Sequence, residues 1–136
     1  MKESYQQKKS RWLAFMICYQ RSLIGFMPLS EEWLIEDNKL GDYGIVFLTD
    51  LLNVFDQHKE EIDIMINKNL IGWKQTRIQP LFNAVLQISV AELLYSDNSQ
   101  YKVVINEAVE FAKKYLSQPT AKMGNAVLDA IRLDNP

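Results

Sequence analysis

Between Leu81 and Leu94 the chain carries apolar residues at nearly every angle around a helical wheel: Leu81, Phe82, Val85, Leu86, Ile88, Val90, Leu93 and Leu94. A helix with one apolar stripe can lie on a surface, but a helix apolar all round must be enclosed by others. The stretch from Thr76 to Tyr95 therefore predicts a central helix, and the rest of the chain has to supply its neighbours.

Spacing of three and four supplies them. In 8–24, Trp12, Met16, Tyr19 and Leu23 recur at helical intervals, with Leu13 and Ile17 widening the predicted buried stripe. Gly25 and Pro28 end that helix, and Ser30 is expected to cap a short turn, with Glu31 and Glu32 in dipole-complementing positions and Trp33 and Leu34 giving apolar contacts. After an acidic loop, Glu36–Asp42, two helices are predicted, Tyr43–Phe55 around Val46, Phe47, Leu51 and Val54, and Lys59–Leu70 around Ile62, Met65 and Ile66. A polar turn, 96–100, precedes Val104–Leu116, whose inner side carries Ile105, Ala108, Phe111, Ala112 and Tyr115. Pro119 stops propagation and Thr120 is the expected cap of a last helix, Ala121–Ile131. No strand alternation of useful length occurs, so the expectation is a single all-α domain over 1–136, with six to seven helices in short antiparallel bundles.

A chain of 136 residues, 48% hydrophobic, can bury such a core. Its one cysteine, Cys18, lies in an apolar run and has no thiol partner, which suits a buried side chain in a reducing compartment. The apolar run Leu13–Cys18 falls far short of the ~20 residues of a membrane span. Tyr19-Gln20-Arg21 after it lacks the small residues of a secretory cleavage site, so the expected location is the cytoplasm, without membrane association. Net charge is −2, but unevenly spread: 1–30 carries +4, 31–66 carries −8 and 67–136 carries +2. Screening over ~10 Å lets a basic N-terminus bind phosphate despite an acidic middle.

Catalytic chemistry is scarce. One histidine and one cysteine leave little for Cys/His nucleophiles or a thiolate–imidazole metal site, and His58 stands in a polar junction suited to exposure or capping. Glycines are scattered singly rather than gathered in a phosphate loop, and Asp37, Asn38 and Asp42 lack calcium-loop spacing. The expectation is a binding module rather than an enzyme, with no cofactor and no metal.

Two constellations remain. Lys8 and Arg11, three apart on a helix, read as adjacent cations, with Lys9 and Lys2 near the same surface. Lys122 and Asn125 share a face at the start of the last helix, where backbone donors suit a phosphate. Met123 between them reads more readily as core.

Val104-Ile105-Asn106-Glu107-Ala108-Val109-Glu110-Phe111-Ala112-Lys113-Lys114-Tyr115, followed by Lys122-Met123-Gly124-Asn125-Ala126-Val127-Leu128-Asp129, resembles the C-terminal half of the NusB family. The resemblance extends through Ala84–Leu93, Ile62-Asp63 with Leu70 and Trp73, and Ala14 to Tyr19 with basic residues ahead, leaving residues 27–42 unmatched. It implies two small helical bundles and a non-catalytic RNA-binding transcription antitermination factor. Such a factor pairs with the small-subunit ribosomal protein also called NusE, recognises single-stranded boxA-like RNA, and joins the RNA polymerase antitermination complex during ribosomal RNA synthesis.

By that resemblance the RNA-binding residues are Lys8, Lys9, Arg11, Lys122, Met123 and Asn125, the two constellations already found. The chain departs from the family where Gln7-Lys8-Lys9 replaces consecutive arginines, exchanging bidentate forks for point charges. Met123 replaces a phenylalanine on which a base could stack, Gly124 and Ala126 replace Val and Gly, and Gln87 stands where arginine is common. These departures motivate an alternative reading, a NusB-fold protein-interaction domain that has lost RNA recognition.

Overall fold

The computed structural model describes residues 2–97 and 99–136, with side chains from Tyr5 onward. Six α-helices follow one another: α1 (Lys2–Ile24), α2 (Pro28–Asp37), α3 (Asp42–Asn69), α4 (Pro80–Tyr95), α5 (Tyr101–Tyr115) and α6 (Gln118–Asp134), with a 3₁₀ turn at Gln75–Arg77. No strand occurs among the described residues. As the apolar wheel of 81–94 requires, α4 is enclosed: it packs on α1, α3, α5 and α6, and every residue from Ala84 to Glu92 is buried. One bundle joins α4 to α1 and α3, with α2 against α1, and the other joins it to α5 and α6.

The ends of the helices have local causes. Gly25, at φ +81°, turns the chain out of α1 in a conformation only glycine adopts without strain, and Pro28 then opens α2 with the φ it is locked into. The first helices cross closely because Gly44 lacks a side chain. Ser10 Oγ donates to Gly44 O at 2.7 Å, and Gln6 Oε1 accepts from the Gly41 N–H at 3.0 Å, capping the start of α3 from α1.

Several expectations are corrected. The buried face of α1 is not centred on Trp12, Met16, Tyr19 and Leu23; Met16 and Leu23 are exposed, and Ser10, Arg11, Leu13, Ala14, Phe15, Ile17 and Cys18 point inward. Residues 43–70 hold the two predicted helical stretches, continuous in α3 with no loop between them and kinked at His58, which alone leaves helical geometry (φ −119°, ψ 18°). Its ring is not a free polar tip: it stacks on Tyr95, with centroids 3.7 Å apart. Ser30 lies inside α2 and donates to Gln20 Oε1, while Glu31 keeps the expected first-turn position and is also buried against Arg21, with Nε–Oε2 at 2.9 Å and Nη2–Oε1 at 2.8 Å. Hydrogen bonding to Glu31 holds the Arg21 pKa above its ordinary value, against the opposing effect of burial. At α6 the cap is Ser117, not Thr120: Ser117 Oγ accepts from the Thr120 N–H at 3.2 Å, and Pro119 sits in the first turn.

Candidate nucleic-acid interface

The six residues read from the sequence fall into three environments. Arg11 is in the core. Its side chain is 5% exposed and its guanidinium grips Glu92 of α4, with Nε to Oε1 at 2.7 Å, Nε to Oε2 at 2.9 Å and Nη2 to Oε2 at 2.7 Å. Ser99 Oγ also donates to Glu92 Oε2, at 2.6 Å, and the guanidinium lies 5.2 Å from the Phe47 ring centroid. With its fork committed to a buried carboxylate, Arg11 presents no surface cation, which corrects its pairing with Lys8.

Lys8 and Lys9 do face outward. Lys9 Nζ donates to Asn38 O at 3.1 Å and lies 4.6 Å from the Tyr5 ring centroid, and Lys8 Nζ lies 5.2 Å from that of Trp12. The side chain of Lys2 is outside the described residues. Both lysines line a groove of about 520 Å³ between α1, α2 and the C-terminal end of α5, together with Trp12, Met16, Lys114 and Tyr115. Lys114 Nζ stands 5.5 Å from the Trp12 ring and 5.3 Å from the Tyr115 ring. Among the described residues none of Lys8, Lys9 and Lys114 is ion-paired.

The third environment is the start of α6. Lys122 and Asn125 are exposed on one face, and Met123 is half-buried against the core. Gly124 between them is buried because the Phe82 ring approaches within 3.2 Å of where a Cβ would stand. Lys122, Met123 and Asn125 do not line the α1–α5 groove, so the two sequence constellations form separate patches.

Sequence spacing does not reveal Trp12, Lys114 and Tyr115 as parts of this surface. It places Trp12 in a core stripe and Tyr115 on the inner side of its helix, whereas Trp12 is half-buried and Tyr115 exposed. The available signal is the exposed Lys113-Lys114-Tyr115 at a helix end, but its approach to α1 is a tertiary fact. Gln87, where the family often has arginine, is buried: its amide donates to Asp63 Oδ1 at 2.9 Å and its carbonyl faces Cys18 Sγ at 3.5 Å. Burial alone would raise the Asp63 pKa, but donation from Gln87, Lys59 and Gln75 outweighs it and holds the carboxyl below its ordinary value.

Among the described residues no three His, Cys, Asp or Glu side chains gather as metal ligands, and no helix is long and apolar enough to cross a membrane. The class so defined is an all-helical binding module with a lysine- and aromatic-lined surface, suited to a flexible polyanion. The NusB family model matches residues 8–132, and the chain belongs to the NusB family. It is 33% identical to the transcription antitermination protein NusB of Clostridium novyi over 125 residues, 90% of this chain and 94% of that one. Among solved structures it is similar to antitermination factors NusB and NusE in complex with double-stranded RNA, with TM-score 0.85, 26% identity, and 96% and 98% of the two chains covered. It is likewise similar to NusB of Aquifex aeolicus, with TM-score 0.77, 30% identity, and 93% and 86% covered.

Proposed function

We propose that this chain is a non-catalytic RNA-binding transcription antitermination factor. It acts in the cytoplasm in ribosomal RNA synthesis, binding boxA-like RNA together with a NusE-like small-subunit ribosomal protein in the RNA polymerase antitermination complex. The observation that carries the reading is the match, over nearly the whole of both chains, to the NusB found with NusE and RNA. Physical support comes from Lys8 and Lys9 beside the aromatic groove, and from Lys122 and Asn125 at the capped start of α6, where backbone N–H groups add donors for phosphate. Phosphate contacts would supply affinity and base contacts selectivity.

The test is a filter-binding titration of boxA-like RNA, single-stranded and duplex, over a range of salt, alone and with the NusE-like protein. Lys8→Glu with Lys9→Glu is expected to weaken binding and to flatten the log–log salt slope by about 0.7 for each single-strand phosphate left without its cation. Unchanged affinity and slope would remove α1 from the site. The burial of Arg11, which thins the patch, is the observation favouring the second reading, a NusB-fold interaction domain without RNA recognition. Co-purification with the NusE-like protein and no RNA binding at low salt would establish that reading instead.

A further inference from the structure

The α1–α5 groove has features that a solvated lysine edge does not need. Two ammonium groups from separate helices, Lys8 and Lys114, converge on one indole at 5.2 and 5.5 Å from its centroid. The indole is held in place: its Nε1–H donates to Glu107 Oε2 at 2.9 Å, and its ring meets Phe111 and Tyr115 edge-on at 5.4 and 5.9 Å. Glu107, occupied by that hydrogen bond, does not line the groove, and none of the groove's residues is acidic. Its volume of about 520 Å³ falls within the roughly 300–1,000 Å³ of small-ligand clefts.

We propose that this groove is a nucleotide slot, in which one unstacked base of single-stranded RNA lies on the Trp12 indole beside Tyr115 and the flanking phosphates take Lys8 and Lys114. The proposal rests on the RNA-binding reading and adds to it a base-contacting residue on α1 and a phosphate ligand from α5. A base on an aromatic face is held more strongly than an exposed ammonium on the same face, so the lysines give up the ring and find phosphate. An acidic peptide would satisfy the lysines and leave the ring unused, whereas a nucleotide satisfies both.

The experiment uses the full chain with Trp33→Phe and Trp73→Phe, both exposed positions, so that emission reports Trp12 alone. A single-stranded RNA oligonucleotide is expected to quench it, and inorganic polyphosphate of equal charge is not. Lys114→Gln, on the surface, is expected to weaken RNA binding several-fold. Trp12→Phe, which keeps a ring, is expected to weaken it less than Trp12→Ala, for which the absence of one stacked base predicts about tenfold or more. Circular dichroism melting separates any unfolding of Trp12→Ala from a direct effect on the bound base. Should RNA bind in a Lys8- and Lys9-dependent way with Trp12 emission unchanged and Lys114→Gln silent, the slot is overturned while the RNA-binding function stands. If no RNA binds at low salt with the NusE-like protein present, both fall together.

Discussion

Replacing Arg11 by alanine tests whether this residue serves the core or the RNA. In the folded chain Glu92 is 1% exposed and shares its oxygens between the Arg11 guanidinium and the Ser99 hydroxyl. Arg11→Ala leaves a carboxylate sealed among apolar residues with one hydroxyl donor, and breaking a buried pair from one side costs about 3–5 kcal/mol. That is a large part of the roughly 5–15 kcal/mol by which a domain of this kind is stable. At about 2–5 °C per kcal/mol for a chain between the usual size classes, the melting temperature should fall by about 6–25 °C. The assay is urea unfolding followed by circular dichroism, with the slope compared to exclude a change in the unfolded state. The double variant Arg11→Met with Glu92→Leu removes both charges and should recover most of the loss, because no buried ion remains. RNA binding by that double variant, measured below its melting temperature, should match the parent chain. A loss under about 1 kcal/mol for Arg11→Ala, the range of an exposed pair, would refute the buried-pair argument. So would a double variant that folds well and has lost RNA affinity, since Arg11 would then touch the ligand.

Three further outcomes follow from the packing. Gly44→Ala drives a Cβ into the Gln6 side chain, Leu40 and Ser10, and should cost about 1–3 kcal/mol in urea unfolding by forcing α1 from α3. Asp63, its folded pKa lowered by its donors, contributes stability that is complete above the ordinary aspartate value of 3.8 and lost as pH falls below it toward the folded value. Acid unfolding curves of Asp63→Asn should therefore be flatter than the parent's across that window, and parallel curves would exclude the network. Burial pushes the Cys18 thiol up to about 12, so alkylation by iodoacetamide at pH 8 should proceed only as fast as the protein opens, with rates rising in step with urea. Rapid labelling of the folded chain would contradict the placement of Cys18.

Much of this architecture is legible in the order of residues. An apolar wheel at 81–94 has only an enclosed solution, and the spacing in 104–116 and 121–131 marks the inner face of each helix except at Tyr115, which is exposed at the end of α5. The first helix misleads because its apolar content is broad: the 12-16-19-23 stripe and the 11-14-15-18 stripe both repeat correctly, and a charged residue on the second weighs against it. The clue lies 81 residues away. Glu92 is the one acidic residue of α4, and a carboxylate there needs a cation, which only another helix can bring. The site divides along the same line. Lys8, Lys9, Lys122 and Asn125 are surface residues on either reading, whereas the groove around Trp12 exists because α1 and α5 approach, and no local spacing encodes that approach. The cap of α6 is ambiguous for a simpler reason. Ser117 and Thr120 are both competent caps, and the proline between them decides, because its locked φ belongs in a first turn and places the cap ahead of it.

The enclosure of α4 has a consequence for the surface it never reaches. The Lys8–Lys9 edge of α1 and the Lys122–Asn125 face of α6 lie on different helices, yet both helices rest on α4. Their separation is thus set by a rod whose middle is buried, and a long RNA meeting both patches would measure that rod as a ruler. Partial opening of one bundle strips α4 of cover for the other, so the two patches keep their spacing or lose it at the same moment.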